Sequence, residues 1–491
     1  MNEEKKVFNR NKWCYSLGGL RDVLYQFVSM FLLVYIQYTM SLTDAQFAAI
    51  GIIMTLCKVW DAINDPMMGT IIENVNLKSG KFRPWIIIGA LASGVITALM
   101  FLVRAFSGWG FVAFFGVLYL FWGMTFTMND VGYWSMLPAL SNDADERNTL
   151  TTLMNIFISI AAFAIAAVVP IYTGTDKITR YGTCAIVVVA VFIASQALTF
   201  FGVKEKPRDM TKKAEKVTLG KMFSIIKNND QLLWVTLAVC CYYLGSGLLL
   251  QFGMNFCYFE YGYAGGGSVY MVFAIVYLVA TLVSQLTFAP MVKKLGRHKL
   301  IGLGAIIAVV GYVVLMMFRY VLPASLVFIV ISGVCIFGGQ NYMYLSLLVQ
   351  MTNTIEYNEL KTGSRNEAIV FSLRSFLAKL TSALQTLIVT AVLIISGIKV
   401  STDKIAALED LSNRGQLAAE EVTKQAEAII LATDDSARLI LRIFMVAVPI
   451  VLIVLTYIVD KGKYNITEEK YEEILAKLEH RSAESETENA D

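Results

Sequence analysis

The sequence predicts an all-α membrane protein of twelve transmembrane helices, arranged as two six-helix bundles. Three observations lead there. The chain is 56% hydrophobic and only 16% charged, with a mean hydropathy of +0.60, far from the balance of a soluble domain. Apolar runs long enough to cross a hydrocarbon core, about 20 residues each, recur from one end to the other. A basic stretch at 204–230 divides them six and six.

The spans fall near 20–40, 45–72, 84–104, 110–138, 150–172 and 181–202, then 231–259, 268–291, 299–318, 323–350, 367–397 and 438–459. An even number puts both termini on one side, and basic residues say which. The N-terminal segment carries Lys5, Lys6, Arg10 and Lys12, and the loop after span two carries Lys78, Lys81 and Arg83. The central stretch holds Lys204, Lys206, Arg208, Lys212, Lys213, Lys216, Lys221 and Lys227; the loop after span eight holds Lys293, Lys294, Arg297 and Lys299. The alternate loops hold little beyond Arg104, Lys177, Arg180 and Arg319. Both termini and the central loop are therefore expected in the cytoplasm. Gly80-Lys-Phe-Arg-Pro-Trp85 after span two has an echo in Gly296-Arg-His-Lys after span eight, as a parallel repeat of six-helix units would leave. The expected divisions are a bundle over 1–203, a loop over 204–230, a second bundle over 231–460 and a tail over 461–491.

Two segments fall outside the bundles. Residues 399–437 read as an amphipathic helical insertion broken at Gly415, on the outer side between the last two spans. The tail has a helix-forming run from Thr467 with Glu in its first turn, and past His480 an acidic stretch expected to lack fixed structure. The N-terminus lacks the short apolar core of a cleavable signal, so the first span is expected to serve as the insertion signal.

Several function classes fall away. A net charge of +3 argues against nucleic acid as a partner. The seven cysteines lie mostly in apolar runs without metal or redox spacing, which makes them small buried hydrophobes. There is no Walker loop, nucleophile elbow or metalloprotease helix, and only two histidines. No enzyme and no cofactor is expected.

What remains is a set of polar groups at membrane depth. Asp61 and Asp65 lie in span two, with Asn64 between them. A charged carboxylate at the bilayer centre costs at least about 2.5–3.5 kcal/mol on insertion scales, so the pair needs compensation. Spacings of i, i+3 and i+4 put all three side chains on one helix face. Their hard oxygens suit Na⁺, with H⁺ as the other candidate. Lys58, one turn earlier, offers a purely structural neutralisation instead. Pro66 is expected to interrupt the helix and free a carbonyl there.

Span four carries Thr127, Asp130, Tyr133 and Trp134, with Thr127, Asp130 and Trp134 on one face. An acid beside an aromatic plate suits a sugar: the carboxylate accepts from vicinal hydroxyls while the ring covers an apolar face. Interfacial aromatics, with Asp130 bonded to a neighbouring helix, account for the same residues equally well. Span one opens with Arg21 and Asp22, which a local ion pair would explain. Span eleven carries Arg374 and Lys379; Lys379 lies too deep to reach water and needs an acid, for which the span-two carboxylates are natural candidates.

Trp60-Asp-Ala-Ile-Asn-Asp-Pro-Met-Met-Gly69, Gly80-Lys-Phe-Arg-Pro-Trp85, Thr354-Ile-Glu-Tyr-Asn-Glu-Leu-Lys-Thr-Gly363 and Phe371-Ser-Leu-Arg-Ser-Phe-Leu-Ala-Lys379 stand in the order found in the glycoside–pentoside–hexuronide:cation symporters. The chain resembles that family, the melibiose-permease branch of the major facilitator superfamily, from about Ser16 to Asp460. The resemblance implies the major facilitator fold, with two six-helix bundles around a central cavity and alternating access. It implies Asp61, Asn64, Asp65 and Thr127 as the cation site. It implies Asp22, Asp130 and Trp134 as sugar-binding residues and Lys379 near both sites; Tyr133, Asn155 and Lys379 are further substrate-binding candidates, and Lys379, Lys58 and Arg374 are candidate coupling charges. Asn155 stands where melibiose permeases carry a sugar-holding arginine, which sets the galactoside preference apart, and Asn353 replaces a frequent aspartate.

The expected function is a secondary symporter importing a glycoside or short oligosaccharide with Na⁺ or H⁺, acting as a monomer in membrane lipid. A symporter of a lipid or organic ion on the same fold is the first alternative, and a non-transporting membrane sensor or scaffold the second.

Overall fold

The computed structural model describes residues 3–75, 80–141, 143–205, 219–323, 325–363 and 367–488. Lys78 and the stretch 206–218, which carries much of the central basic run, lie outside the described residues. Among the described residues twelve spans are long and apolar enough to cross a membrane, as the sequence predicts.

The first span joins α1 (Glu3–Leu17) to α2 (Asp22–Thr39) through a 3₁₀ turn, Gly18–Arg21. The next five are α3 (Asp44–Asn74), α4 (Arg83–Leu102), α5 (Gly108–Leu140), α6 (Ala144–Tyr172) and α7 (Lys177–Gly202). A short α8 (Leu219–Asn228) precedes α9 (Asp230–Tyr261), α10 (Gly266–Leu295), α11 (Arg297–Met317), α12 (Leu326–Thr362) and α13 (Glu367–Ile395). Two helices form the insertion, α14 (Ile398–Asn413) and α15 (Ala419–Leu431), before the last span, α16 (Asp435–Lys463), and the tail helix α17 (Glu468–Glu488).

Local chemistry explains where these helices start. At α3 the Thr43 hydroxyl accepts from Gln46 N while Gln46 Oε1 accepts from Thr43 N, a reciprocal capping box. At α6 the Asp143 carboxylate takes the backbone N–H groups of Asp145 and Glu146 at 2.8 and 3.0 Å. The insertion breaks at Gly415, whose φ of +71° suits a residue without a Cβ.

Three expectations are corrected. α3 runs through Pro66 without a break, since one missing N–H leaves the rest of its hydrogen-bond ladder in place. α12 continues to Thr362, so the Thr354–Gly363 motif, expected in a loop, forms its last turns and ends on Gly363 at φ +73°. α17 continues to Glu488, past His480, where the acidic composition predicted no fixed structure.

The chain forms two compact units that do not follow the sequence halves. The first comprises 1–213, 251–275 and 386–441; the second comprises 214–250, 276–385 and 442–491. Buried polar bonds tie the end of α9 and the insertion to the first six helices. Asn255 of α9 exchanges two bonds with Gln37 of α2, at 2.8 and 3.2 Å, and accepts from the Tyr38 hydroxyl at 2.9 Å. Lys177 is wholly buried: its ammonium donates to the Tyr258 hydroxyl and the Thr173 carbonyl and lies over the Tyr258 and Tyr263 rings at 4.1 and 4.3 Å. Glu409 of α14, also wholly buried, accepts from Lys177 N at 2.8 Å and from the Tyr263 hydroxyl. Burial pushes the Glu409 carboxyl above the usual carboxylate range, against the pull of that hydroxyl and of Lys177. The insertion thus supplies the acid of a buried network.

The second unit has its own buried polar groups. Asp460 of α16 accepts from Gln350 Nε2 at 2.7 Å and pairs with His298 Nδ1 at 3.0 Å. Arg442 donates to the Phe318 carbonyl and lies 4.6 Å from the Tyr320 ring centroid. Glu468 ties α17 to the unit through Arg297 N at 2.7 Å and Nε at 2.9 Å. Partial burial works to raise the Glu468 carboxyl, and the Arg297 bonds outweigh it, holding it below its ordinary range.

Candidate functional site

Thr127 of α5 comes to the acids of α3: its hydroxyl donates to Asp65 Oδ1 at 3.1 Å. Gly123, one turn before Thr127, faces Asp61, and a Cβ there would lie 2.6 Å from Asp61 Oδ1. Only glycine lets that carboxylate approach α5 so closely. Asn64 is buried, with no hydrogen-bond partner for Nδ2 among the described residues. Lys58 donates to Thr386 Oγ1 at 2.8 Å and stays within electrostatic reach of Asp61.

The available donors are two carboxylates, an amide oxygen and a hydroxyl, a hard-oxygen set that fits an alkali cation or a proton.

One turn along α5 from Thr127, Asp130 meets the start of the first span. Arg21, 3% exposed, forms an ion pair with Asp130 and lies 4.8 Å from the Tyr133 ring and 5.8 Å from the Phe126 ring. The local Arg21–Asp22 pair that sequence offered is therefore not the main contact of Arg21. Asp22 accepts from Gln26 Nε2 at 2.8 Å instead. Trp134 is 40% exposed.

Tyr133, expected to face the substrate, is wholly buried. It stacks on Tyr15 with centroids 4.5 Å apart, and each tyrosine hydroxyl donates to the other's carbonyl. Its role is to floor Arg21 from below. Asn155 is exposed on α6 and donates to its own helix at Thr151 O. Arg374 and Lys379 lie on α13 in the second unit, where Arg374 donates to the Tyr344 hydroxyl at 2.6 Å.

Tyr25 was missed from sequence. It stacks on Phe126 at 5.4 Å and stands within electrostatic reach of Asp22, Asp61 and Asp130, so it borders both acid groups. Its i+3 spacing from Asp22 was the available signal.

These features define an all-helical, multi-pass membrane transporter of the major facilitator type. Residues 14–460 match the model of the MFS/sugar transport protein family, and the chain belongs to that family, within the glycoside–pentoside–hexuronide:cation symporters. It is a permease and not an enzyme. It is 27% identical over 501 residues to a lactose permease of Leuconostoc lactis, covering 97% of this chain and 73% of that one. It is 24% identical to a raffinose carrier protein of Pediococcus pentosaceus (93% and 69% covered) and 25% identical to a glucuronide carrier protein homolog of Escherichia coli K12 (78% and 83% covered). Among solved structures, a bacterial homolog of the human lysosomal transporter Spinster superposes with a TM-score of 0.60 at 13% identity, covering 93% of this chain and 95% of that one. The nucleoside transporter NupG gives 0.59 at 13% identity, covering 92% and 100%; both likenesses speak for the fold alone.

Proposed function

We propose that the protein imports a glycoside or short oligosaccharide together with Na⁺, by alternating access, with both termini in the cytoplasm. The observation that carries the reading is that one helix, α5, supports both groups: Thr127 bonds to Asp65, and Asp130, three residues on, meets Arg21. Asp61 and Asp65 repel one another unless a cation lies between them. A bound ion relieves that repulsion and draws α5 toward α3 through Thr127, which sets the position of Asp130. Sugar hydroxyls then donate to Asp22 and Asp130 while Trp134 covers an apolar sugar face. Coupling requires only that each ligand bind better when the other is present. The relatives that carry lactose, raffinose or a glucuronide support the glycoside class. Neutral oxygens at Asn64 and Thr127 favour Na⁺ over a bare proton.

Uptake of labelled lactose and raffinose into right-side-out vesicles, with and without an inward sodium gradient, tests the reading. Accumulation is expected only with the gradient. Accumulation driven by an imposed pH gradient alone would reassign the coupling ion to H⁺, and none with either would remove symport of these glycosides.

Gly123→Ala tests the cation half. The added methyl must displace the Asp61 carboxylate. Loss of one good ion contact is worth about tenfold or more in affinity, so the sodium concentration for half-maximal thermal stabilisation is expected to rise by about that factor. An unchanged sodium dependence would detach Asp61 from the ion.

A further inference from the structure

Two wholly buried carboxamides of the first unit, Asn129 of α5 and Gln196 of α7, take no part in the site described above. Burying an amide is unfavourable unless its groups are bonded, and these two are bonded to one another. Asn129 Nδ2 donates to the Ile86 carbonyl of α4 at 2.8 Å and to Gln196 Oε1 at 3.0 Å. Gln196 Nε2 donates in turn to the Gly18 carbonyl at 2.9 Å and to Ser195 Oγ at 3.1 Å. A main-chain carbonyl only accepts, so Ile86 fixes the orientation of the first amide and Gly18 that of the second. The result is a directional relay from α4 through α5 and α7 to the 3₁₀ turn Gly18–Arg21.

That turn is where the relay acts. In an unbroken α-helix the Asp22 N–H would close onto the Gly18 carbonyl. Here it goes to the Gly19 carbonyl, and Gln196 holds the Gly18 carbonyl instead. A 3₁₀ turn advances about 120° per residue against about 100° in an α-helix, so four such residues swing the chain that follows by about 80°. The turn is also pressed against its neighbours. A Cβ at Gly18 would meet Thr199 Oγ1 and lie 2.7 Å from the Tyr133 ring, and one at Gly19 would lie 2.7 Å from the Met154 carbonyl oxygen. Thr199, one turn along α7 from Gln196, donates to the Cys14 carbonyl at 3.1 Å, just ahead of the turn.

The residues that leave the turn have separate partners: Arg21 pairs with Asp130, and Asp22 accepts from Gln26. The other end of the relay acts on the same pair. Asn129 faces α4 and α7, and Asp130, about 100° further round α5, is thereby turned toward Arg21. We infer that Gln196 and Asn129 are positioning residues for the sugar site: their relay holds the first span in its 3₁₀ turn, which keeps Arg21 on Asp130 and Asp22 apart from that pair. Neither amide touches the sugar. Without Gln196 the Asp22 N–H and the Gly18 carbonyl satisfy one another in an α-helical turn, and the rotation that brings Arg21 to Asp130 is lost. The inference rests on the glycoside reading and adds what sets the geometry of its carboxylates.

The test uses Gln196→Met, which fills nearly the same volume without donor or acceptor, in the full-length protein with sodium present. Lactose and raffinose binding by isothermal titration is expected to weaken about tenfold, while the sodium concentration for half-maximal thermal stabilisation stays within about twofold of the parent. Asn129→Ala leaves Gln196 Oε1 without its donor and is expected to weaken the sugars in the same direction. The double variant should bind them no more weakly than Gln196→Met alone, because both changes cut one relay. Lowered melting with sugar affinity unchanged would overturn the positioning role while leaving glycoside transport standing, as would equal weakening of sugar and sodium or an additive double variant. If Gln196→Met fails to fold, Asn129→Ala decides by the same split between sugar and sodium. Failure of the unaltered protein to bind either sugar would overturn the glycoside reading itself, and the positioning role with it.

Discussion

Asp130→Asn is expected to weaken glycoside binding by about 100-fold or more while sodium continues to stabilise the protein against heat. Hydrogen bonds to a charged acceptor are worth about 1.5–3 kcal/mol each, and a sugar presenting two vicinal hydroxyls to the carboxylate loses most of that when an amide replaces it. The choice of asparagine follows from Arg21. Asp130→Ala would leave a 3% exposed guanidinium without its partner, a loss of about 3–5 kcal/mol that would confuse misfolding with lost affinity. Asparagine keeps an acceptor for Arg21, and the Tyr133 and Phe126 rings still floor its cation. Thr127, Asp61 and Asp65 are untouched, so sodium-dependent stabilisation should persist. Isothermal titration with lactose and thermal unfolding across a sodium series read the two halves separately. Loss of both ligands together would undermine the division into two sites, and unchanged sugar binding would remove Asp130 from the site.

What was legible in the sequence was whatever one helix decides alone. Asp61, Asn64 and Asp65 share a face because their spacing is helical, and the spans followed from length and hydropathy. What needed a second helix was not legible. Arg21 reaches Asp130 across 109 positions of chain, and nothing local distinguishes that from a pair with its neighbour Asp22. On α5, a turn of about 100° per residue puts Trp134 within about 20° of Thr127 but leaves Tyr133 about 100° away from Trp134. The sequence named both aromatics as substrate-facing. Packing against Tyr15 decided that only Trp134 is open, because Tyr15 sits on a segment read as polar and outside the membrane. The insertion shows the same limit: its amphipathic pattern announced two helices, and only the fold revealed that Glu409 turns into a network with Lys177 and Tyr263.

That network carries the second large expectation. Glu409→Ala removes the acceptor of Lys177 N and of the Tyr263 hydroxyl, together with an acid within electrostatic reach of the wholly buried Lys177. The ammonium keeps the Tyr258 hydroxyl, the Thr173 carbonyl and two aromatic faces, but in a low dielectric these do not replace a counter-charge. Leaving a buried donor without its acceptor loses about 1–3 kcal/mol, and Lys177 N and the Tyr263 hydroxyl are two such donors. The loss falls only on arrangements in which α7, α9 and α14 are assembled around Lys177. A transporter that must open and reform this region is therefore shifted toward the disassembled arrangement, by about 100-fold in population for 3 kcal/mol. Cys257, 2% exposed and adjacent to Tyr258, reports the change. With the other cysteines replaced by serine, a membrane-impermeant maleimide added from outside should leave Cys257 unlabelled in the parent and label it readily in Glu409→Ala. Glu409→Gln, which still accepts from Lys177 N and Tyr263, should fall between the two. The melting transition should shift down while staying cooperative. Labelling and melting both unchanged would mean that the aromatic faces alone sustain Lys177, and that the insertion is not what holds these helix ends together.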